Sequence, residues 1–93
     1  MQTLSILIGN SDNKLSQQNW AQFCISMGSS IRHHAARLHF YGLSNPDSEY
    51  QTACWVVEIE DKDLDSLIKS IAMKRSMYEQ DSIAVIYGQT QFI

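Results

Sequence analysis

The sequence predicts an α+β sandwich of order βαββαβ: one antiparallel sheet with two helices on one of its faces. Three observations predict it. The run Ala53-Cys54-Trp55-Val56-Val57-Glu58-Ile59-Glu60 is dense in β-branched and aromatic residues and carries apolar groups on both sides of a two-residue period, so it reads as an interior strand. Two stretches with apolar residues at helical spacing lie one before it and one after it. Shorter alternating stretches open the chain, precede the Trp55 run and close the chain, supplying neighbours for it on both edges.

Thr3 to Ile8 alternates, with Leu4, Ile6 and Ile8 on one side and Thr3, Ser5 and Leu7 on the other, as a half-buried strand does. Gly9-Asn10-Ser11-Asp12-Asn13 stops it, being made of turn-forming residues; its single glycine with no following Gly-Lys does not make a phosphate-binding loop. Ser16 is a helix N-cap, and Leu15 with Trp20 makes a hydrophobic staple. From Trp20, the residues Phe23, Cys24, Met27 and Ile31 follow at spacings of three, four, seven and eleven and form one stripe, while Gly28-Ser29-Ser30 weakens the last turn, so that the helix ends there or frays towards His34.

Ala36 to Leu43 reads as a second strand, with Leu38 and Phe40 on one side and Arg37, His39 and Tyr41 on the other. Ser44-Asn45-Pro46-Asp47-Ser48 holds the only proline and joins this strand to the next without a helix between them, which makes the two an antiparallel hairpin. The third strand is the Trp55 run, starting near Tyr50. Asp61 caps the second helix, with Asp63 and Asp65 suiting its positive end and Leu64, Leu67, Ile68, Ile71 and Ala72 forming its inward stripe. Met73 and Met77 lie outside that stripe. Ser82 to Tyr87 is the fourth strand, and Gly88-Gln89 can turn it into a short extra C-terminal strand over Thr90 to Ile93.

This is the order of the ferredoxin-like fold. Right-handed crossovers place both helices on one face and make the first and third strands the central pair. The other face then displays Ser5, Leu7, His39, Tyr41, Cys54, Val56 and Ile86, which is too apolar for a solvated surface. A second copy, the C-terminal segment, or a partner or ligand should cover it.

The stretches Ile6-Leu7-Ile8-Gly9, Leu15-Ser16 with Trp20 and Phe23, Cys54-Trp55-Val56-Val57-Glu58 and Tyr78-Glu79-Gln80-Asp81-Ser82-Ile83 together resemble a group of small uncharacterised bacterial α+β proteins. The resemblance implies a ferredoxin-like fold; it brings no activity and no catalytic residues.

Composition narrows the function. Ninety-three residues, 44% of them hydrophobic, are enough for a single domain with its own core. A net charge of −3 offers no attraction to phosphate backbones, which argues against nucleic acid as a partner, and no apolar run approaches the ~20 residues of a membrane span. No export signal is visible at the N-terminus, so a cytoplasmic location is expected. The two cysteines, Cys24 and Cys54, read as buried small hydrophobes, and no metal or cofactor motif is present. Adjacent His33 and His34 cannot both point one way on a helix, which suits a solvated helix end. Asp61, Asp63 and Asp65 lack the glycine and closing glutamate of a calcium loop.

The expectation is therefore a non-catalytic protein acting by association: a homodimer through the open sheet face, of inhibitor, immunity or accessory-regulator type. Its interface residues would be Leu7, Tyr41, Val56 and Ile86, with Met73 and Met77 as a further contact surface for a heterologous protein. The alternative is a cofactor-independent enzyme or small-ligand binder of the dimeric α+β barrel type, with a pocket lined by Trp20, His39, Tyr41 and Trp55 and His39 as candidate general base. Nucleic-acid binding is the weaker alternative.

Overall fold

A computed structural model describes residues 1–45 and 47–93; Pro46 of the expected loop lies outside the described residues. Strand β1 (Gln2–Gly9) follows the alternation of its sequence, with Leu4, Ile6 and Ile8 buried and Thr3, Ser5 and Leu7 half-buried on the opposite face. The polar run after it makes a 3₁₀ turn over Ser11–Asn13, where Asp12 and Asn13 both take the left-handed φ of 53° that their short polar side chains tolerate. Asn10 pins this turn: its amide donates to Leu15 O and to Gln51 Oε1, and its Oδ1 accepts from Leu15 N.

Helix α1 (Gln17–His34) starts as its sequence requires, with Ser16 Oγ accepting from Asn19 N at 3.2 Å. It does not stop at Gly28-Ser29-Ser30, because tertiary contacts outweigh the weak propensity of those residues. Gly28 lets the helix lie against the Trp55 indole, and Ser30 Oγ accepts from Ser70 Oγ of the second helix at 3.0 Å.

Strands β2 (Arg37–Leu43) and β3 (Thr52–Ile59) form the expected antiparallel pair. Helix α2 (Asp61–Met77) begins one position earlier than expected: Glu60 is the N-cap and makes no side-chain capping bond, and Asp61 is the first helical residue. Leu67 and Ile71 are the buried centre of its inward stripe. Gln80 fastens the following turn, its Oε1 accepting from Ser11 N and its amide donating to Tyr78 O. Strand β4 (Ala84–Gly88) is the last strand among the described residues; the extra one expected over Thr90 to Ile93 does not form.

The sheet order is β2-β3-β1-β4, all neighbours antiparallel, so the Trp55 strand and β1 are the central pair. The side chains of Leu4, Ile6, Trp55, Val57 and Ile59 on one sheet face join Phe23, Met27 and Ile31 of α1 and Leu67 and Ile71 of α2 in one buried cluster. Both helices therefore cover the same face. The molecule is 18 Å through its shortest axis, room for one sheet and one helical layer.

Candidate interaction surface

The face away from the helices is built from alternate residues of each strand, and cross-strand register orders it into rows. Ile86, Ser5, Val56 and Phe40 form one row and Ala84, Leu7, Cys54 and Gly42 the next. The third row runs from Gly88 through Thr3 to Glu58 and Arg37. The middle is apolar and one end is charged. Phe40 and Ile86 are 55% and 58% exposed, so the outer members of the apolar row stand in water on opposite sides of the half-buried Val56.

Strict alternation puts Tyr41 on the open face and Phe40 on the helix side; the structure exchanges them. The pairing of β2 with β3 shifts by one residue between Leu38 and Phe40, a β-bulge at His39, so Phe40 faces Val56 and Tyr41 faces Trp55. A bulge reverses every side chain beyond it. Tyr41 therefore leaves the open face and stacks on Trp55 under α1, centroids 4.9 Å apart at 25°. The Arg32 guanidinium lies 5.9 Å from the Tyr41 ring centroid, and the Cys24 thiol neighbours the Tyr41 hydroxyl. Burial pushes the Cys24 thiol up to about 11, which keeps it neutral and unreactive at physiological pH, and burial together with that thiol raises the Tyr41 phenol. The Trp55 indole N–H in this layer is the only fully buried side-chain polar atom without a hydrogen-bond partner among the described residues.

His39, the bulged residue, stays on the open face, with Nε2 3.1 Å from Glu58 Oε1. The C-terminal segment passes over this corner: the Thr90 hydroxyl meets that of Thr3, and the Phe92 ring stands 6.5 Å from that of His39. Beneath it is a depression of about 280 Å³ edged by Gln2, Thr3, Glu58 and Phe92. The segment covers only the charged end of the face. Phe92 itself remains 79% exposed.

The four residues expected to line one pocket are thus divided. Tyr41 and Trp55 pack on each other, Trp20 is buried near the start of α1, and His39 lies on the other side of the sheet. Of the expected interface residues, Leu7, Val56 and Ile86 share the open face, and Tyr41 does not. Met73 and Met77 are both exposed on α2, away from the sheet. His33 is exposed at the end of α1, and His34 Nδ1 bonds Ser30 O at 2.8 Å. Among the described residues no three metal-ligating side chains converge, and no helix is long and apolar enough to cross a membrane.

Phe40 and Phe92 are the members of this surface that alternation alone did not find; Glu58 falls on it by the same alternation that places Cys54 and Val56. One signal was available: Gly42 in the middle of a strand marks a bulge or a close approach, and here the Phe40 ring lies over it.

No protein-family model matches the chain, and no curated protein is similar to it. Solved structures are. A dimeric ferredoxin-like protein of unknown function from Thermobifida fusca YX superposes with a TM-score of 0.66 at 6% identity, over 97% of this chain and 92% of that one. A conserved protein from Methanosarcina mazei Go1 gives 0.51 at 13% identity, over 98% and 95%. At such identities the likeness concerns architecture, and that architecture is the ferredoxin-like α+β fold.

Proposed function

We propose that this ferredoxin-like chain is a single domain that acts by association, forming a homodimer through the open sheet face and doing no chemistry of its own. The observation that carries the reading is the row Ile86, Val56 and Phe40, with Leu7 and Cys54 beside it and charge confined to one end. An apolar centre with a polar margin is how association surfaces are built, and a sheet face of this kind is solvated only at a cost. The dimeric state of the Thermobifida fusca protein supports the same reading, since a sheet open on one face is common to the fold. In this reading the protein is cytoplasmic and of inhibitor, immunity or accessory-regulator type, with Met73 and Met77 free on the outer side to meet another protein.

Sedimentation equilibrium at micromolar concentration tests it. The wild type is expected at twice the chain mass and Val56→Lys at the chain mass with an unchanged far-ultraviolet circular dichroism spectrum. A wild type that remains monomeric at about 100 micromolar, roughly the weakest affinity at which a homodimer would function, sinks the proposal.

A second reading rests on the His39–Glu58 contact of 3.1 Å beside the depression under Phe92. A carboxylate orients an imidazole for acid–base work, so a small ligand could be held there. Turnover or ligand binding lost in both His39→Ala and Glu58→Gln would favour it over association alone.

A further inference from the structure

We infer that the outer edge of β4, with the groove between β4 and α2, docks an extended peptide whose free C-terminal carboxylate faces Arg75. The first support is the direction of the backbone groups. Asn10 N donates to Gln51 O, one step beyond the β1–β3 register, and bonded pairs alternate along an antiparallel ladder, so the even-numbered residues of β1 bond β3 and the odd-numbered ones bond β4. Those odd residues, Thr3, Ser5 and Leu7, face Gly88, Ile86 and Ala84. Val85 and Tyr87 are left with N–H and C=O pointing outward, where the sheet has no further strand among the described residues.

Such a row is a template on which another extended backbone can pair in place of water. Beside it, on the helix side, Ile68 and Ala72 of α2 and Ile83 and Val85 line a groove of about 300 Å³. A strand added to β4 sends alternate side chains into that groove, so the peptide carries apolar residues at every second position.

Charge selects which end of the peptide lies where. Arg75 and Asp81 close the groove beside the start of β4. Asp81 is engaged by Lys14 at 3.0 Å, whereas Arg75 makes one long hydrogen bond, Nη1 to Gln80 O at 3.4 Å. A cation at the rim of an apolar groove suits a carboxylate, and a peptide running antiparallel to β4 ends at that point. A second copy of β4 fits less well, because Ala84–Gly88 contains no charge to offer Arg75. The surface is separate from the sheet face proposed for the homodimer.

The test is selection of random hexapeptides displayed with free C-termini against the intact protein, followed by amide hydrogen exchange on the complex. Enriched peptides are expected to carry apolar residues at alternate positions and to slow exchange at Val85 and Tyr87. Binding should weaken at least tenfold when the peptide is amidated or when the protein carries Arg75→Gln, and should be lost in Ala72→Gln, which fills the groove. Circular dichroism and sedimentation of both variants should match the wild type, which separates this outcome from failure of the homodimer. Four results would overturn the inference: no enrichment, selected peptides that leave Val85 and Tyr87 exchange unchanged, equal binding of acid and amide, or protection of these amides that rises with protein concentration alone.

Discussion

Strands β2 and β4 are the two edges of one sheet, and they treat exposure in opposite ways. Edge β2 carries Arg37, a bulge at His39 and a 3.1 Å contact from that histidine to Glu58 of the neighbouring strand. Each of these discourages a further strand from pairing there. Edge β4 is regular and uncharged over Ala84–Gly88 and pairs with β1 without a break in register. The difference teaches that the two edges are not equivalent termini of a repeating layer. One is finished; the other is left open, and both contribute an exposed apolar residue, Phe40 and Ile86, to the face between them.

The comparison breaks most visibly in the dimer. On β4 the open-face residue is Ile86 and its neighbour Tyr87 points to the helix side; on β2 the bulge makes Phe40 the open-face residue and sends Tyr41 inward. Ile86→Lys and Phe40→Lys are each expected to weaken the proposed dimer by about 100-fold, since the two-fold buries the charge twice, ~3 kcal/mol in all. Tyr87→Lys should leave it within about threefold. Sedimentation equilibrium of the three variants decides; a dimer that tolerates Phe40→Lys but not Tyr87→Lys would mean that the faces are assigned the wrong way round.

The same reversal sets the next effect, on stability. Tyr41 stacks on Trp55 beneath α1, whereas Tyr87 is 54% exposed at the other edge. Removing the ring from Tyr41 opens a space over the indole, and Tyr41→Ala should cost about 2 kcal/mol in urea unfolding. Tyr87→Ala should cost less than about 1 kcal/mol. Equal losses would show that β2 is no more tied to the core than β4.

What the sequence disclosed and what it hid divide along this line. The regular parts were legible because a period of two or of 3.6 residues is itself the signal: β1, the Trp55 strand and β4 took the expected faces, and Trp20 to Ile31 took the buried side of α1. That fixes the open face through Leu7, Val56 and Ile86. Strand β2 was misread beyond one residue, because a bulge inserts a position that no hydrophobic period announces. The candidate pocket fell with it: once Tyr41 turns to Trp55 and His39 stays outside, the group has no common space. The passage of α1 through Gly28-Ser29-Ser30 and the course of Thr90 and Phe92 over Thr3 and His39 depend on contacts distant in sequence, which local pattern does not carry.

Titration offers a smaller and separate measure of how firmly β2 is held. Cys24 is raised from 9.0 to about 11 by burial, and Tyr41 beside it is raised as well. Both groups are stabilised in their neutral forms by the folded state, so their contribution is complete below the unfolded-state value and is lost as pH rises through the folded one. Urea midpoints should therefore be flat from pH 7 to about 9 and fall as pH rises from there to about 11. Cys24→Ala should flatten part of that fall. A midpoint that rises over this window would mean that the fold does not hold these two groups in their neutral forms.

The least of the expected effects is a matched pair of glycines, one on each edge strand, neither at positive φ. A Cβ on Gly42 would lie 2.5 Å from Phe40 Cζ, while one on Gly88 would meet nothing within 4 Å. Phe40 is exposed and its ring can swing aside, so Gly42→Ala should destabilise by about 1 kcal/mol or less rather than prevent folding. Gly88→Ala instead restricts the unfolded chain at no steric cost and should stabilise by about 0.5 kcal/mol. The sign is what matters. Because displacing the Phe40 ring also removes it from its place beside Val56, Gly42→Ala should weaken the dimer in the same sedimentation experiment, and Gly88→Ala should not. If both glycines respond alike in unfolding and in association, the bulged edge and the regular edge are being read as more different than they are.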